Sequence, residues 1–258
     1  MKNSILKTND LTVTFGGLKA LNGFDFELKR GEFVGLIGPN GSGKTTFFNA
    51  LTGIYPPAEG FVKLNGDDIT RAAPKKIYQY GITRTFQRLR LSMPLSVFDN
   101  LVVGNQRHLN LSLWGNIFAR KKFREKVMDQ TIVCKKLLNR FSKGLEQKLY
   151  EPVSSLPMID RRRVEVCRAL ISEPKVLLLD EPSAGMTPDE TRALMNDLQE
   201  WREQYPDLAI ILIEHEMDLI SRVSERCVVL NYGEKIAEGT YEQVAKDRAV
   251  RKAYLGED

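Results

Sequence analysis

The apolar positions of this 258-residue chain change period along its length. At the start they alternate with polar ones. Leu11 to Phe15 reads LTVTF and stops at Gly16-Gly17, and Leu21 to Leu28 alternates again until Arg30-Gly31. Alternation places every second side chain on one face, so both stretches are expected to be strands closed by glycine turns. Phe33 to Ile37 (FVGLI) is apolar throughout and short, the pattern of a strand buried on both faces. Thr46 to Leu51 reads as helix. Gly53 to Gly60 (GIYPPAEG) breaks the chain, Phe61 to Leu64 returns to strand, and Asn65-Gly66 is a hairpin turn. Ile82 to Phe86 makes one more short strand, ending at Gln87.

From Leu89 to Asp160 the strand pattern disappears, and helix-like periods run over Val97 to Gln106 and Lys122 to Asn139. Arg120, Lys121, Lys122 and Arg124 read as a solvated face or loop. Leu111 to Phe118 (LSLWGNIF) is a candidate apolar patch with two open uses: a partner surface, or Trp114 and Phe118 plugging the segment's own core. His108, in the same segment, carries no functional weight. Strand pattern resumes at Val176 to Leu179, and helix Asp189 to Gln204 follows. Ala209 to Ile213, Cys227 to Leu230 and Lys235 to Ala237 are strands, with helix Met217 to Ser224 between the first two. Alternating strands and helices imply a parallel-rich sheet with helices on its faces.

Composition narrows the class without deciding it. Hydrophobic content of 42% and charged content of 28% are ordinary for a globular protein. No apolar run reaches the roughly 18 residues needed to span a bilayer, and no apolar leader of signal-peptide type is expected at the N-terminus. Cys134, Cys167 and Cys227 are odd in number and widely spaced, as expected of free thiols in a reducing cytosol. A net charge of +5 is mild. It suits a solvated basic surface better than a nucleic-acid or anionic-membrane footprint.

The chemistry lies in one stretch. Gly38 to Thr46 reads GPNGSGKTT and fits G-x-x-x-x-G-K-[ST]. Gly38, Gly41 and Gly43, spaced by Pro39, Asn40 and Ser42, let the backbone turn its N–H groups inward as an anion nest. The following helix, entered through Thr46, adds its positive end. Lys44 supplies a charge for the β- and γ-phosphates of ATP, and Thr45 a hydroxyl for Mg²⁺. Strand before and helix after complete the context for phosphate binding. Val176 to Glu181 (VLLLDE) is a buried-strand pattern that delivers Asp180 to the sheet's C-terminal edge, where it would hold Mg²⁺ beside Thr45. Glu181, one residue on, points elsewhere and can polarise an attacking water. His215 follows a strand by two residues and could donate to a γ-phosphate or orient that water. Gln87, also at a strand's end, could coordinate Mg²⁺ or water through its amide. Phe15 could stand against a nucleotide base, although its own pattern fits core better.

Taken together these residues resemble the ATP-binding cassette (ABC) ATPases of membrane transporters, over nearly the whole chain. The order of GPNGSGKTT, the Gln87 loop, LLLDEP at Leu177 to Pro182 and His215 carries the resemblance. Finer stretches are similar to the branched-chain amino acid importer subfamily: FGGLKAL near the start, TRTFQ at Thr83 to Gln87, EPSAGMTPDET, IEHEMDLI, and AYLGED at the end. The resemblance implies an α/β fold with a P-loop NTPase core and parallel-rich sheet, an N-terminal antiparallel β subdomain and an inserted α-helical subdomain. Residues 1–258 would form one cassette, with 1–87 and 161–258 as the nucleotide-binding core and 88–160 as the helical subdomain. It further implies a peripheral ATPase on the cytoplasmic face of the cell membrane, under transmembrane permease subunits and indirectly served by a solute-binding protein. Nucleic acid is not an expected partner, because cassettes that act on it are longer or doubled. Phe15 would be the adenine platform and Gln87 the sensor toward the permease. Two cassettes would close on two ATP molecules, each held between one phosphate loop and the other chain's LSGGQ signature. Here the signature departs. Anchored on Arg162-Arg163 and Glu165 to Leu170, its place is taken by Leu156, Pro157, Met158, Ile159 and Asp160. Pro157 has no N–H to donate, Ile159 bars close backbone approach, and Asp160 brings negative charge toward a triphosphate. The expected partner is therefore a second ABC ATPase subunit with an intact signature, in a heterodimer.

Overall fold

The computed structural model describes residues 3–106 and 120–255. The patch Leu111 to Phe118, with Trp114 and Phe118, and His108 lie outside the described residues, as does the end of AYLGED. The chain divides into two compact units: Met1–Arg84 with Lys175–Pro182 and Tyr205–Asp258, and Thr85–Pro174 with Ser183–Gln204.

The first unit holds two sheets. One is antiparallel, in the order β2 (Leu18–Lys29), β1 (Ser4–Phe15), β4 (Glu59–Leu64), β5 (Asp67–Asp68). The strands β1 and β2 are longer than the alternation suggests. The β1–β2 register shifts between Thr8 and Leu11, and Asp10 stands at φ 51 in that interval. An irregularity of this kind breaks the period of two while the ladder continues. The second sheet runs β10 (Glu234–Gly239), β9 (Arg226–Asn231), β3 (Phe33–Ile37), β8 (Ala209–Ile213), β7 (Val176–Asp180), β6 (Ile82–Arg84). All its pairings are parallel except β10 on β9. The residues of β3, β7 and β8 are buried throughout, which is why they read as unbroken apolar runs. Helix α1 (Lys44–Leu51) buries Phe47 and Phe48 in a cluster shared with both sheets. The Phe47 ring meets Phe24 and Phe26 edge-on at 4.9 and 5.2 Å. Helix α2 (Pro74–Tyr80) buries only Ile77, so it leaves no apolar period to read.

The second unit is helical. Helix α3 (Val97–Gly104) starts at a capping box made by Ser96 and Asp99. Helices α4 (Arg120–Phe141), α5 (Met158–Leu170) and α6 (Pro188–Gln204) pack on one another around residues such as Leu138, Val164, Leu194 and Leu198, with Phe141 against Trp201. Helix α5 lies where the sequence pattern shows no element. Its charged run Asp160 to Arg163 hides the buried face formed by Val164, Val166, Cys167 and Leu170. Back in the first unit, α7 (Met217–Val223), α8 (Tyr241–Lys246) and α9 (Arg248–Leu255) complete the chain.

Candidate nucleotide-binding site

The strand β3 stands third in the second sheet, and the loop Gly38 to Gly43 leaves its C-terminal end. Two of the glycines are demanded by space. A Cβ on Gly38 would fall 2.1 Å from the Leu230 carbonyl oxygen. One on Gly43, which caps α1 at φ 109, would fall 2.6 Å from that of Ala20. No side chain is accommodated at either place. The loop is fastened from the β9–β10 turn, where the Gly233 N–H donates to the Ser42 carbonyl at 2.9 Å.

The loop borders a cavity of about 390 Å³ lined by Asn40 to Thr46 together with Leu18, Ala20, Glu181 and Tyr232. Lys44 is buried, and its ammonium donates to the carbonyls of Gly38 at 2.7 Å and Pro39 at 2.9 Å. Burial pulls its pKa below the ordinary lysine value, against the carboxylates of Glu181 and Asp180, which favour the charged form. The Ser42 hydroxyl is buried without a hydrogen-bond partner. A nest of N–H groups, a cationic side chain and an orphaned donor around one cavity fit an anion of triphosphate kind. Phe15 is not among the lining residues. It is 45% exposed and meets Tyr55 edge-on at 5.0 Å, whereas the exposed side chains of Leu18 and Tyr232 border the cavity.

Asp180 and Glu181 diverge as their neighbouring positions require. In the β7–β8 register Asp180 is opposite Ile213, and the Glu181 N–H donates to the Ile213 carbonyl at 2.9 Å. Glu181 itself takes φ 47, a left-handed conformation uncommon for a residue with a side chain. Because β7 and β8 end together, the chain brings His215 to Glu181, with Nε2 and Oε1 2.9 Å apart. Asp180 is buried, and Arg84 at the end of β6 pairs with its Oδ2 at 2.5 Å. Burial raises the Asp180 pKa, an effect that Arg84 and Lys44 oppose and Glu181 reinforces. Arg84 lies inside the TRTFQ stretch, where the resemblance implies no role for it. A charged residue ending a buried strand beside the expected site was the available signal.

Gln87 belongs to the second unit, where Arg162 donates to its carbonyl at 2.9 Å, to that of Ala184 at 2.9 Å, and to Glu165 at 3.0 Å. The degenerate signature lies at the start of α5, with Pro157 as its N-cap and no side-chain capping bond. Asp160 is corrected here. Its charge, expected to face a triphosphate, is taken up inside the unit by Lys148 on Oδ2 at 2.6 Å and Arg163 on Oδ1 at 3.2 Å. Arg163 in turn pairs with Asp197 at 2.8 Å. The charge of Asp160 is therefore neutralised inside the unit.

Loop, buried aspartate, glutamate and histidine on one parallel sheet define a phosphate-loop ATPase of the cassette type. Residues 21–184 match the ABC transporter family, and residues 234–258 match the branched-chain amino acid ATP-binding cassette transporter family. The chain belongs to the ABC transporter family, whose ATP-binding subunits are ATPases. It is similar to the high-affinity branched-chain amino acid transport ATP-binding proteins BraF of Pseudomonas aeruginosa (37% identical) and LivG of Escherichia coli K12 (38%), each alignment covering 100% of both chains. Among solved structures, an ATP-binding cassette of an ABC transporter in its ADP conformation is 31% identical with a TM-score of 0.83, covering 99% of this chain and 100% of that one. The antiparallel sheet, the parallel-rich sheet and the helices agree with the expected α/β architecture.

Proposed function

We propose that this chain binds and hydrolyses MgATP as one half of an asymmetric pair of cassettes beneath the permease subunits of an importer. Branched-chain amino acids or similar small amino acid and amide solutes are the proposed cargo, in keeping with the branched-chain amino acid transport of BraF and LivG. The place of work would be the cytoplasmic face of the membrane, with a solute-binding protein delivering cargo to the permease. The observation that carries the catalytic reading is the Glu181–His215 hydrogen bond of 2.9 Å beside the cavity of the phosphate loop.

In this reading Gly38 to Thr46 hold the phosphates, with Lys44 turning its ammonium from the loop carbonyls toward the β- and γ-phosphoryl oxygens. Phe15 remains the proposed base platform. The Thr45 hydroxyl and Asp180 would hold Mg²⁺, with Gln87 as a further ligand and as sensor toward the permease. A cation held there would supply neutralisation of the charge that develops on the phosphoryl oxygens. Glu181 takes a proton from the attacking water, whose oxygen bonds the γ-phosphorus as the bridge to the β-phosphate breaks. His215 keeps the Glu181 carboxylate in place. The missing lid comes from a second cassette with an intact signature. Support for that asymmetry is the first turn of α5, where Pro157 offers no N–H and Lys148 and Arg163 are already engaged by Asp160.

Glu181→Gln tests the base. In the assembled transporter, turnover should fall by roughly 10²–10⁴-fold while nucleotide binding is kept and the closed pair accumulates. Normal turnover in that variant would overturn the assignment.

A further inference from the structure

Arg84 occupies a position that the proposed chemistry does not use. It is the last residue of β6, next to β7 in parallel register, and its guanidinium is bound on three sides. One nitrogen donates to Asp180 Oδ2 at 2.5 Å and another to Asn49 Oδ1 at 2.6 Å. The plane of the group lies over the Phe48 ring, 5.3 Å from its centroid. The Arg84 and Asp180 side chains are each 4% exposed. Asn49 and Phe48 sit on α1, four and three residues beyond Thr45. One planar cation thus ties the aspartate at the end of β7 to the helix that carries the Thr45 hydroxyl.

We propose that Arg84 is a positioning residue for the divalent cation, fixing the Asp180 carboxylate relative to Thr45 through the Asn49–Arg84–Asp180 clamp. The inference rests on the reading of Asp180 and Thr45 as the residues that hold Mg²⁺. Buried carboxylates lose their solvent shell and keep one orientation only when another group imposes it. A guanidinium does this because its donors form a rigid fork. Lysine, with a point charge on a flexible stem, lacks the planar fork that holds two partners in one fixed geometry. Residues that orient a metal ligand typically govern about 10–100-fold of metal affinity.

The test measures ADP affinity by equilibrium titration with Mn²⁺ present and with EDTA, and takes the ratio as the metal-dependent gain. Water-proton relaxation by bound Mn²⁺ gives an independent readout. Arg84→Ala should lose about 10–100-fold of the gain, with EDTA affinity held within about twofold because the phosphate loop is untouched. Arg84→Lys should fall between, and Asn49→Ala should shift the gain in the same direction by less. An unchanged gain in Arg84→Ala overturns the inference, and so does an equal loss with and without metal, which would mark a merely structural role. Should Arg84→Ala fail to fold, Arg84→Lys and Asn49→Ala decide, and wild-type gains in both overturn it. Asp180→Asn separates the two layers. If that variant keeps the full gain, the assignment of Asp180 as a metal residue fails first. If it loses the gain while the Arg84 variants keep it, only the clamp is wrong.

Discussion

Lys44 spends its ammonium on the Gly38 and Pro39 carbonyls, at the price of burial. A triphosphate offers the same donors stronger, charged acceptors, so the side chain is held ready by weak bonds and exchanged into better ones. Lys44→Ala should therefore weaken ATP binding by about 1.5–3 kcal/mol, read by titration of a fluorescent nucleotide. Affinity unchanged by that substitution would remove the lysine from the site. At this scale the sequence was legible wherever chemistry fixes spacing. GPNGSGKTT and VLLLDE each lie in one uninterrupted stretch, and the β7–β8 register accounts for the meeting of Glu181 and His215. Partners distant in sequence were not legible. Arg84 is 96 residues from Asp180, and nothing local says that they meet. Lys148 neutralises Asp160 from 12 residues away, so the aspartate read alone looked like an uncompensated charge.

Among elements, the sheet strands were the most readable and their ends the least. The all-buried β3, β7 and β8 announce themselves, because burial on both faces leaves only apolar residues. Helices α2, α8 and α9 are short or mostly exposed, and α5 carries its charges over its first turns, so their periods are weak. One ion pair fastens elements that are far apart in sequence. Glu32, in the turn before β3, takes the Arg226 guanidinium of β9 at 2.7 Å, and the same arginine reaches Glu238 on β10. Burial pushes the Glu32 carboxyl up, but the bonds from Arg226 and the Lys29 N–H outweigh it and hold it below the ordinary value of 4.5. A lowered carboxylate contributes stability above its unfolded value, and the contribution is lost as pH falls through the folded one. Thermal melts of the wild type should thus show an acid decline beginning near pH 4.5 to which Glu32 contributes. Glu32→Gln should cost about 1.5–3 kcal/mol at neutral pH and make the decline shallower. A parallel decline in the variant would mean that this pair is uncoupled from acid unfolding.

For the whole molecule, the proposed function makes the phosphate loop one half of a catalytic site and the altered signature the other half. The antiparallel sheet, parallel-rich sheet and helical unit place the chain among ABC transporter ATPases, and its residues Pro157 to Asp160 depart from the LSGGQ pattern. Next to that segment Asp160, Lys148, Arg163 and Asp197 pair with one another. In the proposed reading, a lid built this way lacks an N–H at Pro157 for a partner's γ-phosphate. On the proposed function, two copies of this chain would give two poor sites, and a pair with an unaltered cassette would give one good site.

The measurement that tests this most directly is steady-state ATP hydrolysis by the purified chain, alone, with a cassette partner carrying an intact signature, and with residues 157–160 rebuilt as Ser-Gly-Gly-Gln. The account predicts poor turnover alone and a rise of about 10²-fold or more in the other two cases, the scale set by restoring donors to a developing phosphoryl charge. Vigorous hydrolysis by the unaltered chain on its own would contradict it.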